Sequence, residues 1–211
     1  MKIKGAIFDM DGTLTCSTHI WDGITERYFE DNGYTLPDNY WDVLRERRYT
    51  FVEAMEFCID LFGLTKDPET LIYEQYRYIK PDYAKVGLKP GVAEYLQYLR
   101  ANGIKCCVAT LANDYIADDV LKAHGIFDHF EFILSAAAEN TSKRDPDLFL
   151  KAAHLLGLDP SECAVYEDSA MALQTAKDAG FSTVGVFDQN TYKQPTPACD
   201  TFITSFKELI K

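Results

Sequence analysis

The sequence predicts an α/β fold: a parallel sheet flanked by helices, with an all-helical lobe inserted after the first strand. Three observations predict it. Short apolar runs alternate with segments of helical period from about residue 91 onward, and strands that alternate with helices build parallel βαβ units. A strongly aromatic helical stretch separates the first apolar run from that alternation. Finally, four apolar runs each lead to a polar residue suited to handling phosphate. Parallel strands gather their carboxyl ends on one edge, where open α/β sheets bind ligands.

Residues 3–8 (Ile-Lys-Gly-Ala-Ile-Phe) read as the first strand. From Cys16 to about Lys85 the pattern is helical, with Trp21, Ile24 and Tyr28 recurring at helical spacing, as do Val52, Met55 and Ile59. Asn32-Gly33, Leu36-Pro37-Asp38 and Asp67-Pro68 divide this stretch into several helices. An insertion of roughly 70 residues exceeds an ordinary connection and is expected to form its own lobe. The reading gives an α/β core domain at 1–15 and 87–211, with a helical domain at 16–86. Beyond Lys89-Pro90-Gly91, helices are expected at 91–101, 113–123, 146–156 and 169–179. Strands are expected at 104–109, 131–134, 163–166, 182–187 and 201–203.

With 211 residues, 47% of them hydrophobic and 26% charged, the chain has the makings of a globular α/β domain plus a small second one. Its net charge of -12 argues against nucleic acid as a partner, because phosphate backbones demand a basic face. No stretch approaches the run of about 20 apolar residues that spans a membrane. Met1-Lys2-Ile3-Lys4 leads straight into a strand without a signal peptide, so a cytoplasmic location is expected. Cys16, Cys58, Cys106, Cys107, Cys163 and Cys199 show no metal-type spacing and read as reduced, mostly buried side chains.

The first apolar run ends in Asp9-Met10-Asp11-Gly12-Thr13. Carboxylates are rarely buried unless paired or bound to a metal. Asp9 is placed to attack or to bind a cation, and Asp11 to move a proton, which points to phosphoryl chemistry. Thr110 follows the second strand, Lys143 lies beyond the third, and Glu167-Asp168 follow the fourth. Each has an ordinary structural alternative. Asp-Gly is a common turn, threonine is frequent at strand ends, lysine is usually a solvated charge, and an acidic pair favours the start of a helix. Their order and spacing carry the functional reading.

With these motifs in view, the chain resembles the haloacid dehalogenase superfamily of phosphohydrolases, in the branch with a helical cap inserted after the first strand. Within it, phosphoglycolate phosphatases and β-phosphoglucomutases are the relatives it most resembles. The resemblance implies a Rossmann-like parallel sheet core flanked by helices, with an inserted α-helical cap domain. Asp9-Met10-Asp11-Gly12-Thr13 matches the first family motif, Thr110 the second, Lys143 with Pro146-Asp147 the third, and Glu167-Asp168-Ser169 the fourth. It further implies that Asp9 is the nucleophile and forms an aspartyl-phosphate. Asp11 then acts as acid and base, while Thr110 and Lys143 contact the phosphoryl group. The implied cofactor is Mg²⁺, held by Asp9, the backbone carbonyl of Asp11, and Asp168, with Glu167 assisting directly or through water. Backbone N–H groups of Met10, Asp11 and Leu111 would complete the phosphate cradle.

In the cap, the cluster Arg45, Arg47, Arg48 is either a substrate-recognition element or a solvated helix face interleaved with Glu46. Arg45 and Arg48 are the recognition candidates taken from it. Trp21 and Tyr40-Trp41 read as packing residues, and His19 as a linker residue. The chain departs from its relatives in three places: Cys16 stands where an aspartate is usual, Leu111-Ala112 follow the second-motif threonine, and Arg144 replaces the proline after the motif lysine. Arg144 adds positive charge suited to a second anionic group on the substrate. The expected activity is Mg²⁺-dependent hydrolysis of a small phosphorylated metabolite. A sugar phosphomutase is the alternative, with Thr13 and the lack of a histidine at Trp21 favouring hydrolysis. Dehalogenation and a catalytically silent binding module are the remaining readings, and both fit the retained acidic residues less well.

Overall fold

The computed structural model describes residues 3–83 and 85–211. Met1 and Lys2, read above as part of a bare amino terminus, lie outside the described residues. The chain divides into two compact units, Met1–His19 with Val86–Lys211, and Ile20–Lys85.

The first unit is an α/β sandwich. Its strands are β1 (Gly5–Phe8), β2 (Lys105–Thr110), β3 (Ile133–Ser135), β4 (Cys163–Glu167), β5 (Ser182–Val186) and β6 (Thr201–Ile203). They form one sheet in the order β3-β2-β1-β4-β5-β6, and every pairing is parallel. β1 lies between β2 and β4, and all four of its residues are buried. A strand covered on both faces reads as a continuous apolar run, and that is why Gly-Ala-Ile-Phe shows no alternation.

Four helices cover the sheet: α5 (Val92–Ala101), α6 (Asp114–Ala123), α7 (Asp147–Leu156) and α8 (Ala170–Asp178), numbered after four helices of the second unit. In one core cluster, Ile7, Cys107 and Val165 of the three central strands pack with Leu148, Phe149 and Ala152 of α7 and Ala172 and Ala176 of α8. Elsewhere Phe8 stacks on its register partner Tyr166, with ring centroids 4.3 Å apart. The Tyr166 hydroxyl meets that of Tyr95 from α5 at 2.6 Å. A buried phenol needs such a partner.

The second unit contains α1 (Ile24–Asp31), α2 (Tyr40–Arg47), α3 (Phe51–Phe62) and α4 (Pro68–Tyr83). Its core gathers Tyr28, Phe29, Tyr40, Met55, Cys58 and Leu71. A capping box at Thr50 and Glu53 starts α3, satisfying two backbone donors that a helix leaves open. Buried Gln75 accepts from the Thr25 hydroxyl at 3.0 Å. The inserted helical cap on a parallel α/β core is therefore the architecture of this chain.

Local details differ from the sequence reading. Trp41 is not a core residue: it is 49% exposed beside Tyr40 at 2%, and its indole N–H donates to Glu26. Adjacent helical positions point about 100° apart, so α2 can bury only one of the two. Trp21 is half-buried and makes an edge contact with Tyr83. Thr110 ends β2 rather than following it, and β3 begins two residues later than expected. Four of the six free cysteines are buried; Cys16 is exposed and Cys199 half-buried. Burial pushes the Cys106 thiol up to about 12 and that of Cys163 to about 11. Among the described residues no helix is long and apolar enough to cross a membrane.

Where the chain returns from the helical unit, Gly91 precedes α5 with φ +84, and a Cβ there would lie 2.6 Å from the backbone nitrogen of Lys207. Both features exclude a side chain. Gly91→Ala is expected to lower unfolding free energy by about 1–3 kcal/mol, read from urea denaturation midpoints. An unchanged midpoint would contradict this close approach.

Candidate active site

The carboxyl edge of the sheet collects the acidic residues for a topological reason. β1 and β4 are neighbours in register, with Phe8 opposite Tyr166, so Asp9 and Asp168 leave the sheet side by side, while Glu167 ends β4 rather than following it. One carboxylate oxygen from each of Asp9, Glu167 and Asp168 lies within 4.8 Å of the others, and all three residues are buried. Lys143, also buried, comes from the loop between β3 and α7. Its ammonium donates to Asp9 Oδ1 in a very short contact and to Glu167 Oε1 at 2.6 Å.

Three carboxylates against one ammonium leave buried negative charge uncompensated. The cost appears as shifted proton affinities. Burial, then repulsion from Asp9 and Asp168, pushes Glu167 up to about 8 even though Lys143 opposes the rise. Burial and Asp9 push Asp168 up to about 7 against the hydrogen bond from Thr191. For Lys143, burial favours the neutral amine, but Asp9 and Glu167 outweigh it and hold the ammonium well above its ordinary range. An all-oxygen donor set with surplus negative charge suits a hard divalent cation. Asp9, Glu167 and Asp168 therefore form a cluster compatible with metal coordination.

The turn after β1 is equally specific. The N–H groups of Thr13, Leu14 and Thr15 all converge on the Met10 carbonyl, at 3.3, 2.9 and 3.0 Å. Gly12 has φ +87, and a Cβ there would sit 2.2 Å from Asp168 Oδ2. Only glycine admits the carboxylate at that distance. Asp11 Oδ1 accepts the Ser17 hydroxyl proton, and Ser17 is itself 2.7 Å from the Thr15 hydroxyl. Asp168 accepts from Thr13 at 3.2 Å on Oδ1 and from Thr191 on Oδ2. Asp9 Oδ2 makes no hydrogen bond among the described residues.

Thr110 is buried at the end of β2, where its oxygen accepts the Ala112 N–H at 3.1 Å. That bond leaves the hydroxyl proton available to another acceptor. Ser135, opposite Thr110 in the register, donates to the Ala112 carbonyl at 2.7 Å and steadies the loop. Met10 is fully buried, whereas the Leu111 side chain is 52% exposed. Arg144 is half-buried. Its backbone N–H donates to Ser142, and its side chain forms no ion pair among the described residues. Arg45 and Arg48 belong to the helical unit and are not members of this cluster. Both are exposed: Arg45 pairs with Asp42 at 3.0 Å, and Arg48 ends α2 with φ 56. His19 is exposed in a short turn, Thr18–Trp21.

Several polar residues in and around the site were absent from the sequence reading. Asp188 follows β5, and its Oδ2 pairs with Lys89 at 2.8 Å, both side chains being buried. Burial opposes ionisation of Asp188, but Lys89 and the N–H groups of Asn190 and Thr191 outweigh it and hold its pKa below the ordinary value. Ser17 and Thr191, which orient Asp11 and Asp168, also went unread. The run Val184-Gly185-Val186-Phe187-Asp188 carries the same signal as Ala6-Ile7-Phe8-Asp9, an apolar strand ending in an acid. The hydroxyl residues carry no such signal.

Comparisons with known proteins agree with this architecture. YhcW of Bacillus subtilis (strain 168), named as a candidate phosphatase, is 31% identical over 183 residues, spanning 86% of this chain and 82% of that protein. The beta-phosphoglucomutase of the same organism is 28% identical over 201 residues, spanning 87% and 83%. The crystal structure of CbbY from Rhodobacter sphaeroides in complex with phosphate superposes with a TM-score of 0.78 at 20% identity, covering 98% of this chain and 96% of that one. A family description, haloacid dehalogenase-like hydrolase, matches residues 3–180. With a parallel α/β core, an inserted helical cap and an aspartate-based site, the chain belongs to the haloacid dehalogenase-like hydrolases.

Proposed function

We propose that the protein is a Mg²⁺-dependent phosphatase that hydrolyses a small phosphorylated metabolite through an aspartyl-phosphate on Asp9. Family membership and the acidic cluster already support phosphohydrolase or phosphomutase chemistry. The observation that carries the finer reading is the state of Asp9: one oxygen is held by Lys143 and the other makes no hydrogen bond among the described residues.

In this reading Asp9 Oδ2 attacks phosphorus, and the bond from phosphorus to the substrate oxygen breaks. Asp11 gives its proton to that leaving oxygen. Asp11, now a carboxylate, takes a proton from a water whose oxygen attacks the phosphorus of the aspartyl-phosphate, releasing inorganic phosphate and restoring Asp9. Ser17 holds Asp11 in place for both transfers. The Thr110 hydroxyl and the Lys143 ammonium offset charge on the transferring oxygens, together with the N–H groups of Met10, Asp11 and Leu111. Mg²⁺, held by Asp9, the Asp11 carbonyl and Asp168 with Glu167 assisting, supplies further positive charge at the phosphoryl group when bound. Arg144 is the proposed contact for a second anionic group on the substrate, and Arg45 and Arg48 of the helical unit are separate recognition candidates.

The similarity to a beta-phosphoglucomutase favours one other reading, phosphoryl transfer within a sugar phosphate. Phosphate release measured beside isomerisation of β-glucose 1-phosphate separates the two.

Asp9→Asn is expected to lower turnover on the order of a thousandfold or more without moving the thermal midpoint downward; phosphate release at the parent rate would remove Asp9 from the mechanism. Thr110→Ala, which deletes one donor to the phosphoryl group, is expected to cost on the order of a hundredfold in kcat. The raised carboxylates generate a third outcome. Glu167 and Asp168 keep protons in the folded protein at pH values where the unfolded chain has lost them, so their stabilising contribution disappears as pH rises through about 7 and about 8. A cation requires the deprotonated forms. In chelator, the thermal midpoint should therefore fall as pH rises through that window. Excess Mg²⁺ should oppose the fall, so that the gap between the two conditions widens with pH. A gap independent of pH would contradict the assignment.

A further inference from the structure

The chain leaves the sheet-bearing unit after His19 and re-enters it at Val86. The two crossing segments are paired. The Cys16 N–H donates to the Gly87 carbonyl at 2.9 Å, the Lys89 N–H donates to the Leu14 carbonyl at 2.9 Å, and Thr15 forms an antiparallel bridge with Leu88. Asp188 joins this ribbon to the loop after β5. Its Oδ2 holds the Lys89 ammonium at 2.8 Å, and its Oδ1 accepts the Thr18 hydroxyl at 3.1 Å. One carboxylate thus binds a side chain from each crossing.

The same Oδ1 closes the loop itself, accepting from the N–H groups of Asn190 at 2.8 Å and Thr191 at 3.2 Å. Reciprocal backbone bonds between Asp188 and Tyr192, both 3.0 Å, lock the turn. The Thr191 hydroxyl lies within reach of Asp188 Oδ1 and Asp168 Oδ2, and the contact with Asp168 is the shorter. It has one proton to give. The loop that Asp188 folds therefore delivers that proton to Asp168.

We propose that Asp188 is a positioning residue that couples the paired linkers of the helical insertion to the orientation of the Asp168 carboxylate, with Thr191 as the connecting group. A shift of either linker moves a partner of Asp188, and the loop it organises carries Thr191 with it. A hydrogen-bonded partner behind a metal-binding carboxylate sets how that carboxylate presents its lone pairs. The inference rests on the reading of Asp168 as a Mg²⁺ ligand and extends it to residues outside the acidic cluster.

Calorimetric titration of the substrate-free protein with Mg²⁺ tests it. Wild type should bind and Asp168→Asn should not. Failure of either would overturn the ligand reading, and the coupling with it. Given that pattern, Thr191→Val and Asp188→Asn should each weaken Mg²⁺ binding about tenfold. Thr18→Val, which touches Asp188 but makes no hydrogen bond to Asp168, should weaken it to a smaller extent and speed hydrogen exchange at the Cys16 and Lys89 amides. Asp188→Asn leaves the Lys89 ammonium without its counter-charge. Should that variant lose its fold by near-ultraviolet circular dichroism, Thr191→Val and Thr18→Val carry the same measurement. Affinities within about twofold of wild type in Thr191→Val and Thr18→Val, accompanied by any change in thermal midpoint alone, would reduce the network to a structural role and overturn the coupling.

Discussion

The Lys143 ammonium, buried between Asp9 and Glu167, is the interaction on which the site depends. Three carboxylates cannot be taken out of water together without opposing charge, because repulsion in a region of low polarity is severe. Lys143 offsets part of that charge and leaves the remainder. Burial together with that surplus raises Glu167 and Asp168, and the surplus makes the cluster compatible with a divalent cation. Breaking a buried pair by removing one member is costly because the other is left uncompensated. The loop that carries Lys143 is thus as much a part of the electrostatic frame as the strands are.

Sheet topology supplies the rest of that frame. With β1 central and β4 beside it, two acidic strand ends emerge on adjacent tracks, and β2 on the other flank contributes Thr110. Around these a ring of hydroxyls fixes the carboxylates: Ser17 on Asp11, Thr13 and Thr191 on Asp168. Gly12 permits the close approach of Asp168. Rigid elements thus carry the reactive groups, and short polar side chains aim them. Asp188 repeats the strand-end logic at β5, but its partners are linker residues and a turn. Its neighbourhood therefore joins the chain crossings to the site.

Legibility in the sequence followed physical distinctness. The central strands were readable because burial on both faces produces uninterrupted apolar runs, and Asp9 and Glu167-Asp168 stood out as acids at the ends of such runs. Lys143 sits in a loop, where a lysine looks like any solvated charge, and only its order among the other motifs singled it out. Ser17, Ser135 and Thr191 were unreadable, since small hydroxyl residues acquire their roles from partners distant in the chain. Asp188 carries the same strand-end signal after the fifth apolar run, but it lies outside the four motif positions whose order and spacing carry the reading. The helical unit was recognised by its period. That period did not distinguish Tyr40 from Trp41, since a one-residue rotation decides which ring is buried. Its arginines revealed exposure through charge and nothing about recognition.

The placement of β1 has a consequence for how the molecule is made. Gly5 pairs with Lys105 on one side and Cys163 on the other. This apolar strand thus has no sheet partner until the chain has grown far past the inserted helices, and its second partner comes later still. Contacts so distant in sequence slow folding, and an unpaired apolar strand is open to association with other chains. Asp9, which follows β1, is therefore set in place late in folding, when β4 closes against that strand.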